Sequence, residues 1–148
     1  IPGHNFRLPN HLAALGVSQL SRLNKFNAKR LEIAKRYDLF LNKFTDIFII
    51  QKINSNLTHS YQMYSVLVKQ KYRNNLLYYL KNYGIEASAH FDPPLHKQLY
   101  LAKFAKKLIN TEILAKQIIT LPIYPLLKNS EQDKIFKVIK KWYKKIKI

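Results

Sequence analysis

Apolar residues recur every three to five positions from Leu12 to Phe44, which is the spacing of one face of an α-helix. The opposite face is mostly charged, and no proline interrupts the stretch. This pattern predicts one long amphipathic helix on which other elements pack, with any bend or break falling between Phe40 and Thr45. Its apolar positions are Leu12, Leu15, Leu20, Leu23, Phe26, Leu31, Ala34, Tyr37 and Leu41.

Three shorter stretches have the composition of β-strands. Residues 46–53 are β-branched and aromatic, and they predict a first strand. Residues 59–69 predict a second strand, which we expect to be central in the sheet because both of its faces are partly apolar. Residues 85–91 predict a third strand, which ends where Pro93 and Pro94 cannot continue a hydrogen-bonded ladder.

The rest of the pattern predicts further helices and one extended segment. Gly84 is placed to cap the first of these helices, and two prolines make residues 121–125 extended. The order of elements predicts the α+β class, with a small mixed or antiparallel sheet of about three strands packed on helices. The predicted helices are 72–83, 96–109, 111–119 and a last one from Ser130, whose apolar positions are Ile135, Val138, Ile139, Trp142 and Ile146.

Length and composition limit the class of protein. The 148 residues predict one domain or a large piece of one, and 47% apolar residues suffice for a core. The absence of cysteine excludes disulfides and thiolate metal sites. No apolar run approaches the roughly 18 residues of a membrane span, and no secretory signal pattern is present. Because the sequence begins with Ile1 and Pro2 rather than Met, we expect a piece of a longer protein.

The net charge of +18 is the strongest compositional feature. Such an excess usually indicates nucleic acid or another anionic surface. The excess is lysine, spread along the chain apart from the tail 137–147, whereas nucleic-acid readers rely on arginine for bidentate contacts. An AT-rich genome would also encode this composition. A non-catalytic basic module that binds nucleic acid or another anionic polymer is therefore an alternative hypothesis rather than the leading one.

Local chemistry by itself identifies no catalytic centre. The five histidines lack the converging partners that a metal site requires, and the eight carboxylates are scattered. Three glycines are too few for a Gly-rich phosphate loop. The polar stretch from Gly3 to Arg7 runs into the long helix, and it has two interpretations: a plain surface turn, or a loop that presents Asn5 and Arg7 to a ligand.

Beyond these local features, six sequence motifs occur in a fixed order along the chain. Together they resemble the DegT/DnrJ/StrS-type sugar aminotransferases, which are fold type I enzymes dependent on pyridoxal 5′-phosphate. The resemblance is to the C-terminal portion of such an enzyme. The motifs are GHNFR with AALG and QL (3–20), R…IA..Y (30–37), HSYQMY (59–64), GI with HFDPPLHKQ (84–98), E ending in LPIYP (112–125) and EQD (131–139).

The resemblance implies roles for individual residues. Asn5 and Arg7 would be cofactor-binding, with Asn5 reaching the cofactor phosphate of the neighbouring subunit of a homodimer. His90 would face the substrate, and His96 and Tyr61 are further substrate-binding candidates. No catalytic residue and no metal ligand is expected in this chain, because none of its 21 lysines matches the position of the family's Schiff-base lysine. That lysine belongs to the large N-terminal domain, so this piece alone would be inactive.

The implied reaction is amino transfer, typically from glutamate, to a nucleotide-linked keto sugar in the cytoplasm, with no membrane or nucleic-acid partner. By this resemblance, residues 1–44 form a cofactor loop and connecting helix, and residues 45–148 the small C-terminal α+β domain. The chain departs from the family pattern at His4 and Phe91, where an aromatic residue and a tyrosine are usual. The short lysine-rich stretch 100–109 replaces a Gly-rich insertion, so the sequence does not specify the sugar.

Overall fold

A computed structural model describes residues 6–54 and 56–147, which form a small antiparallel sheet with helices. The predicted α+β class is confirmed. Three short 3-10 turns, Asn42–Phe44, Leu95–Lys97 and Leu99–Phe104, connect the main elements. In chain order the elements are α1 (Asn10–Leu20), α2 (Leu23–Leu41), β1 (Phe48–Ile50), β2 (Tyr64–Val68), α3 (Gln70–Asn82), α4 (Ile109–Ala115), β3 (Ile118–Leu121) and α5 (Asn129–Ile146).

The sheet has the order β1-β2-β3, and both pairs are antiparallel. The prediction that the second strand is central is confirmed. Along β2, Tyr64, Val66 and Val68 are buried against the helices, while Ser65 and Leu67 point to the other face and are half-buried. On that second face Ile49 is 61% exposed. The sheet therefore has one covered and one open face.

The third strand is not the predicted one. Residues 85–91 contribute only an isolated bridge between Ser88 and Thr120, and the third strand is β3. The prediction of a helix over 111–119 was wrong at its end, because α4 stops at Ala115. The β-branched run that follows is buried beside β2, where ladder hydrogen bonds and burial outweigh the helical spacing.

The long N-terminal helix is also divided, into α1 and α2. The Ser18 carbonyl accepts hydrogen bonds from Ser21 Oγ at 2.9 Å and from Arg22 Nε at 3.1 Å. The Arg22 backbone N–H donates instead to the Gln19 carbonyl, so the α-helical ladder is interrupted there. At its other end α2 stops at Leu41, within the region where a bend was expected.

The predicted helix over 96–109 is replaced by the last two 3-10 turns and an irregular stretch. Leu99 and Phe104, two large apolar residues of this stretch, are exposed. A helix here has no apolar surface of the described chain to pack on, and short helices gain most of their stability from such packing.

The core lies between the covered sheet face and the helices α2, α3 and α5. As predicted, α5 buries the face with Ile135, Val138, Ile139 and Trp142, and the Trp142 Nε1–H donates to Asn75 Oδ1 of α3 at 2.7 Å. The Lys128 N–H donates to the Glu131 carboxylate at 2.8 Å, which satisfies one free donor at the start of α5. The predicted helix end at Gly84 is confirmed by its φ of +68°.

The division of the chain at residue 44 stays a prediction. Among the described residues, no helix combines the length and the apolar character needed to cross a membrane.

Candidate functional site

Two non-glycine residues of the described chain adopt left-handed backbone conformations, and both belong to predicted site motifs. Tyr61 has a φ of 46° and Phe91, next to His90, has a φ of 59°. Bulky side chains avoid this region, at a cost of roughly 1–3 kcal/mol. Such residues persist where their surroundings determine the backbone, and they cluster at ligand sites.

His90 lies on the loop that follows the bridge between Ser88 and Thr120. Its Nδ1 shares a hydrogen bond with Ser88 Oγ at 2.9 Å. Within the described residues no hydrogen bond is recorded for its Nε2. The ring is exposed and lines one wall of an apolar cavity of about 170 Å³, together with Phe91, Pro94, Leu114 and Ile118. This placement leaves Nε2 able to bind a ligand.

This cavity adjoins an apolar groove of about 290 Å³ on the open face of the sheet. Leu114 and Ile118 line both spaces. The groove is otherwise lined mainly by apolar residues of β1 and β2, including Ile49 and Leu67. His90 therefore stands at the edge of a continuous apolar surface.

His96 is tied to α4 rather than open to a ligand. Its Nε2 lies 3.4 Å from Glu112 Oε1, and its side chain is largely covered. Lys97 Nζ donates to the other oxygen of the same carboxylate at 2.6 Å. The Lys97 ammonium, and secondarily the His96 imidazole, hold the pKa of Glu112 below its ordinary value.

Tyr61 belongs to an aromatic cluster beside the core. Its ring packs on Tyr64 with centroids 6.4 Å apart and on His59 at 4.4 Å. The Tyr61 N–H donates to His59 Nδ1 at 3.0 Å, and Tyr64 Oη donates to Asp38 Oδ1 at 2.6 Å. Burial, with the nearby Asp38 carboxylate, raises the pKa of the Tyr61 hydroxyl. Among the described residues, no hydrogen bond or ring contact joins Tyr61 to His90 or His96.

Of the two predicted cofactor residues, Asn5 lies outside the described residues. Arg7 is exposed on the irregular segment that leads into α1. The whole of α1 is without a buried residue, and Leu15 and Val17 are 54% and 70% exposed. Arg7 therefore precedes a helix whose apolar residues are exposed.

Arg73, which the sequence patterns did not single out, is the most buried charged residue of the described chain at 7% exposure. Its guanidinium lies 2.6 Å from Asp92 Oδ2, two residues after His90. Helical spacing could have found it, because Arg73 stands three and seven positions before the core residues Leu76 and Leu80. In the described part of the chain, no three histidine or carboxylate side chains gather as a metal site would require.

Comparison with known proteins identifies the scaffold on which these residues lie. The model of the DegT/DnrJ/EryC1/StrS aminotransferase family matches residues 1–140, nearly the whole chain. The chain belongs to this aminotransferase family. The resemblance found in the six motifs is thereby confirmed.

Individual members agree with this assignment. GDP-perosamine synthase of Escherichia coli O157:H7 is 30% identical over 142 residues, which are 95% of this chain and 38% of that protein. A DegT/DnrJ/EryC1/StrS aminotransferase from Brucella abortus is 28% identical and superposes with a TM-score of 0.85, over 95% of this chain and 37% of that one. The chain thus spans little more than a third of the length of its relatives, as expected of a C-terminal portion.

A further solved structure, of NtdA from Bacillus subtilis, contains bound cofactor PMP. It is 24% identical, with a TM-score of 0.81 over 92% of this chain and 32% of that chain, and this likeness establishes the shared fold.

Proposed function

We propose that this chain is the C-terminal portion of a pyridoxal-phosphate-dependent aminotransferase that transfers an amino group, typically from glutamate, to a nucleotide-linked keto sugar. The observation that carries the proposal is the family match over residues 1–140, together with a relative of 30% identity that is a GDP-perosamine synthase. In this proposal the chain supplies contacts to cofactor, substrate and a second subunit, while the larger N-terminal portion supplies the catalytic lysine.

The exposed apolar surfaces of the chain support the need for such partners. The residues of α1 bury nothing in the described chain, and the open face of the sheet carries the apolar groove. Contiguous apolar patches of this kind usually mark protein–protein contacts or ligand grooves. In the complete enzyme, α1 would pack against the large domain or the second subunit of a homodimer.

The residues assigned to the cofactor have donor groups that suit a phosphate. Asn5 carries an amide and Arg7 a guanidinium, and both donate N–H groups that phosphate oxygens accept. Arg7 lies on the exposed segment before α1, and in this proposal it extends toward a neighbouring subunit. When bound, pyridoxal phosphate supplies the electron sink of amino transfer. This chain's part is to hold the phosphate end.

His90 is the best-supported substrate contact of the three candidates. Because its Nδ1 is engaged by Ser88, Nε2 is left for a polar group of the sugar or nucleotide. In this proposal His96 and Tyr61 are weaker substrate-binding candidates, because His96 is paired with Glu112 and the Tyr61 ring packs on Tyr64.

The test joins this chain to the coding region that precedes Ile1 and purifies the product with pyridoxal phosphate. We expect an absorbance band of lysine-bound cofactor and glutamate-dependent amination of nucleotide-linked keto sugars. The His90→Ala variant should retain the band and lose most of its affinity for the sugar. Tyr78→Ala, an exposed position on α3, is the matched control and should behave as the parent. A complete protein that binds no cofactor would refute the proposed function.

A further inference from the structure

Arg73 places a charged side chain inside the fold. It lies on the inner face of α3, and its side chain is only 9% exposed. Burying an ion is unfavourable unless the ion is paired and hydrogen-bonded. The hydrogen-bond partners of Arg73 therefore indicate what the residue does.

Those partners come from two separate segments. Arg73 Nη2 donates to Asp92 Oδ2 at 2.6 Å and to the Ala115 carbonyl at 3.0 Å, and Nε donates to the Lys116 carbonyl at 3.1 Å. The two carbonyls lie at the end of α4, directly before β3. One guanidinium thus fastens the loop at Asp92 to the turn between α4 and β3.

His90 lies between this anchor and a second one. On its N-terminal side, Ser88 is fixed to β3, because its N–H donates to the Thr120 carbonyl at 3.1 Å and its carbonyl accepts from the Thr120 N–H at 2.8 Å. On its C-terminal side stands Asp92. Between the anchors Phe91 is left-handed, at φ 59°, although the residue is 73% exposed and gains little from packing. Because Ser88 and Asp92 are both fixed, the backbone at Phe91 is held in an unfavourable conformation.

We propose that Arg73 is a positioning residue for substrate binding: by holding Asp92 against the end of α4, it sets the place and direction of the His90 imidazole at the rim of the apolar cavity. This proposal rests on the proposed function for the role of His90. Arg73 itself touches neither substrate nor cofactor. A lysine cannot replace it, since one ammonium cannot reach the three acceptors with the geometry of the planar fork.

The first arm of the test uses the 148-residue chain by itself and needs no cofactor. Arg73→Lys is compared with Arg36→Lys, because Arg36 forms a similar pair with Asp133, at 2.7 Å, between α2 and α5. The readouts are thermal unfolding and the imidazole NMR signals, with that of His90 assigned through His90→Gln. We expect both lysine variants to fold, but only Arg73→Lys to shift and broaden the His90 signal. An unchanged His90 signal in Arg73→Lys would overturn the proposal.

Asp92→Asn serves as the second variant, because Asp92 is the more exposed partner and the change removes the negative charge while keeping the size of the side chain. It should reproduce the His90 shift. If Arg73→Lys unfolds and Asp92→Asn leaves His90 unchanged, Arg73 has a purely structural role and the proposal fails.

The second arm uses the enzyme joined to its upstream region. Arg73→Lys should raise the KM for the sugar about tenfold with a smaller change in kcat, as expected when a binding group is displaced. Arg36→Lys should leave both constants unchanged, and equal effects of the two variants would count against the proposal. An inactive parent enzyme would refute the proposed function, whereas the NMR arm would still decide whether Arg73 orients His90.

Discussion

At the scale of single residues, the positions with a left-handed backbone conformation differ in whether they hold glycine or a bulky side chain. Gly84 ends α3 at φ +68°, and its N–H donates to the Lys81 carbonyl at 2.9 Å. Glycine adopts this conformation without steric cost, as helix ends commonly require. Tyr61 and Phe91 adopt it at a cost, and both lie in motifs assigned to the substrate. Glycine thus occupies the position that only ends a helix, whereas Tyr61 and Phe91 adopt strained conformations in the motifs of the proposed site.

Replacing Gly84 tests this distinction. Gly84→Ala should destabilise the chain by about 1 kcal/mol, because an alanine is strained at positive φ. The added Cβ would meet only the Lys134 ammonium, at 4.0 Å, so a steric clash cannot account for the loss. The control is Gly16→Ala within α1, where nothing lies within 4 Å and the substitution should raise helicity. Urea unfolding and circular dichroism measure both, and equal losses would contradict the explanation.

At the scale of elements, the helices differ in what they pack against. The α3 helix buries Leu76 and Leu80 completely, and α5 buries Trp142 between the sheet and α3. By contrast, α1 has an apolar pattern without a buried residue. Its amphipathic sequence is therefore suited to a surface that the described chain does not provide.

Matched leucine substitutions should show this difference. Leu80→Ala should destabilise the isolated chain by about 2–5 kcal/mol, because it leaves a cavity in the core. Leu15→Ala should change it by less than about 0.5 kcal/mol, since Leu15 is exposed. In the complete enzyme Leu15→Ala should weaken assembly. Denaturant unfolding of the chain and light scattering of the enzyme measure the two effects, and a large loss for Leu15→Ala in the isolated chain would show that α1 packs within it.

At the scale of the whole molecule, the charge is unbalanced. The sequence has a net charge of +18, and much of the exposed face of α5 consists of lysines, including Lys137, Lys140 and Lys144. Like charges held together on a folded chain repel one another, and this repulsion is screened by salt. The cations in the ion pairs of the described chain include Lys29, Arg36, Arg73, Lys97 and Lys147, and none of these five lies in α5.

Salt should therefore stabilise the chain. Raising sodium chloride from about 20 to 300 mM should increase the unfolding temperature by about 3 °C. The variant Lys140→Glu, which relieves repulsion on α5, should be more stable at low salt and respond less. Differential scanning calorimetry measures both. A fall in unfolding temperature with salt would mean that attractive pairs dominate.

The same series with an added oligonucleotide tests the alternative of a basic module, since phosphate contacts weaken steeply with salt.

The sequence by itself determined those features that neighbouring residues specify. These include the α+β class, the central strand β2, the Gly84 helix end and the buried face of α5, because periodicity and turn chemistry act within a few residues. The ordered motifs from Gly3 to Ile139 likewise identified the family, which the match over residues 1–140 confirmed.

Only the tertiary structure decided the features that depend on distant partners. The third strand became Ile118–Leu121 because it pairs with β2, and the stretch 96–109 lost its helix because no described surface covers it. Arg73 meets Asp92 across 19 residues and the Lys116 carbonyl across 43. Local pattern carries no information about such contacts, since the energy of a buried charge depends on which acceptors the folded chain brings to it.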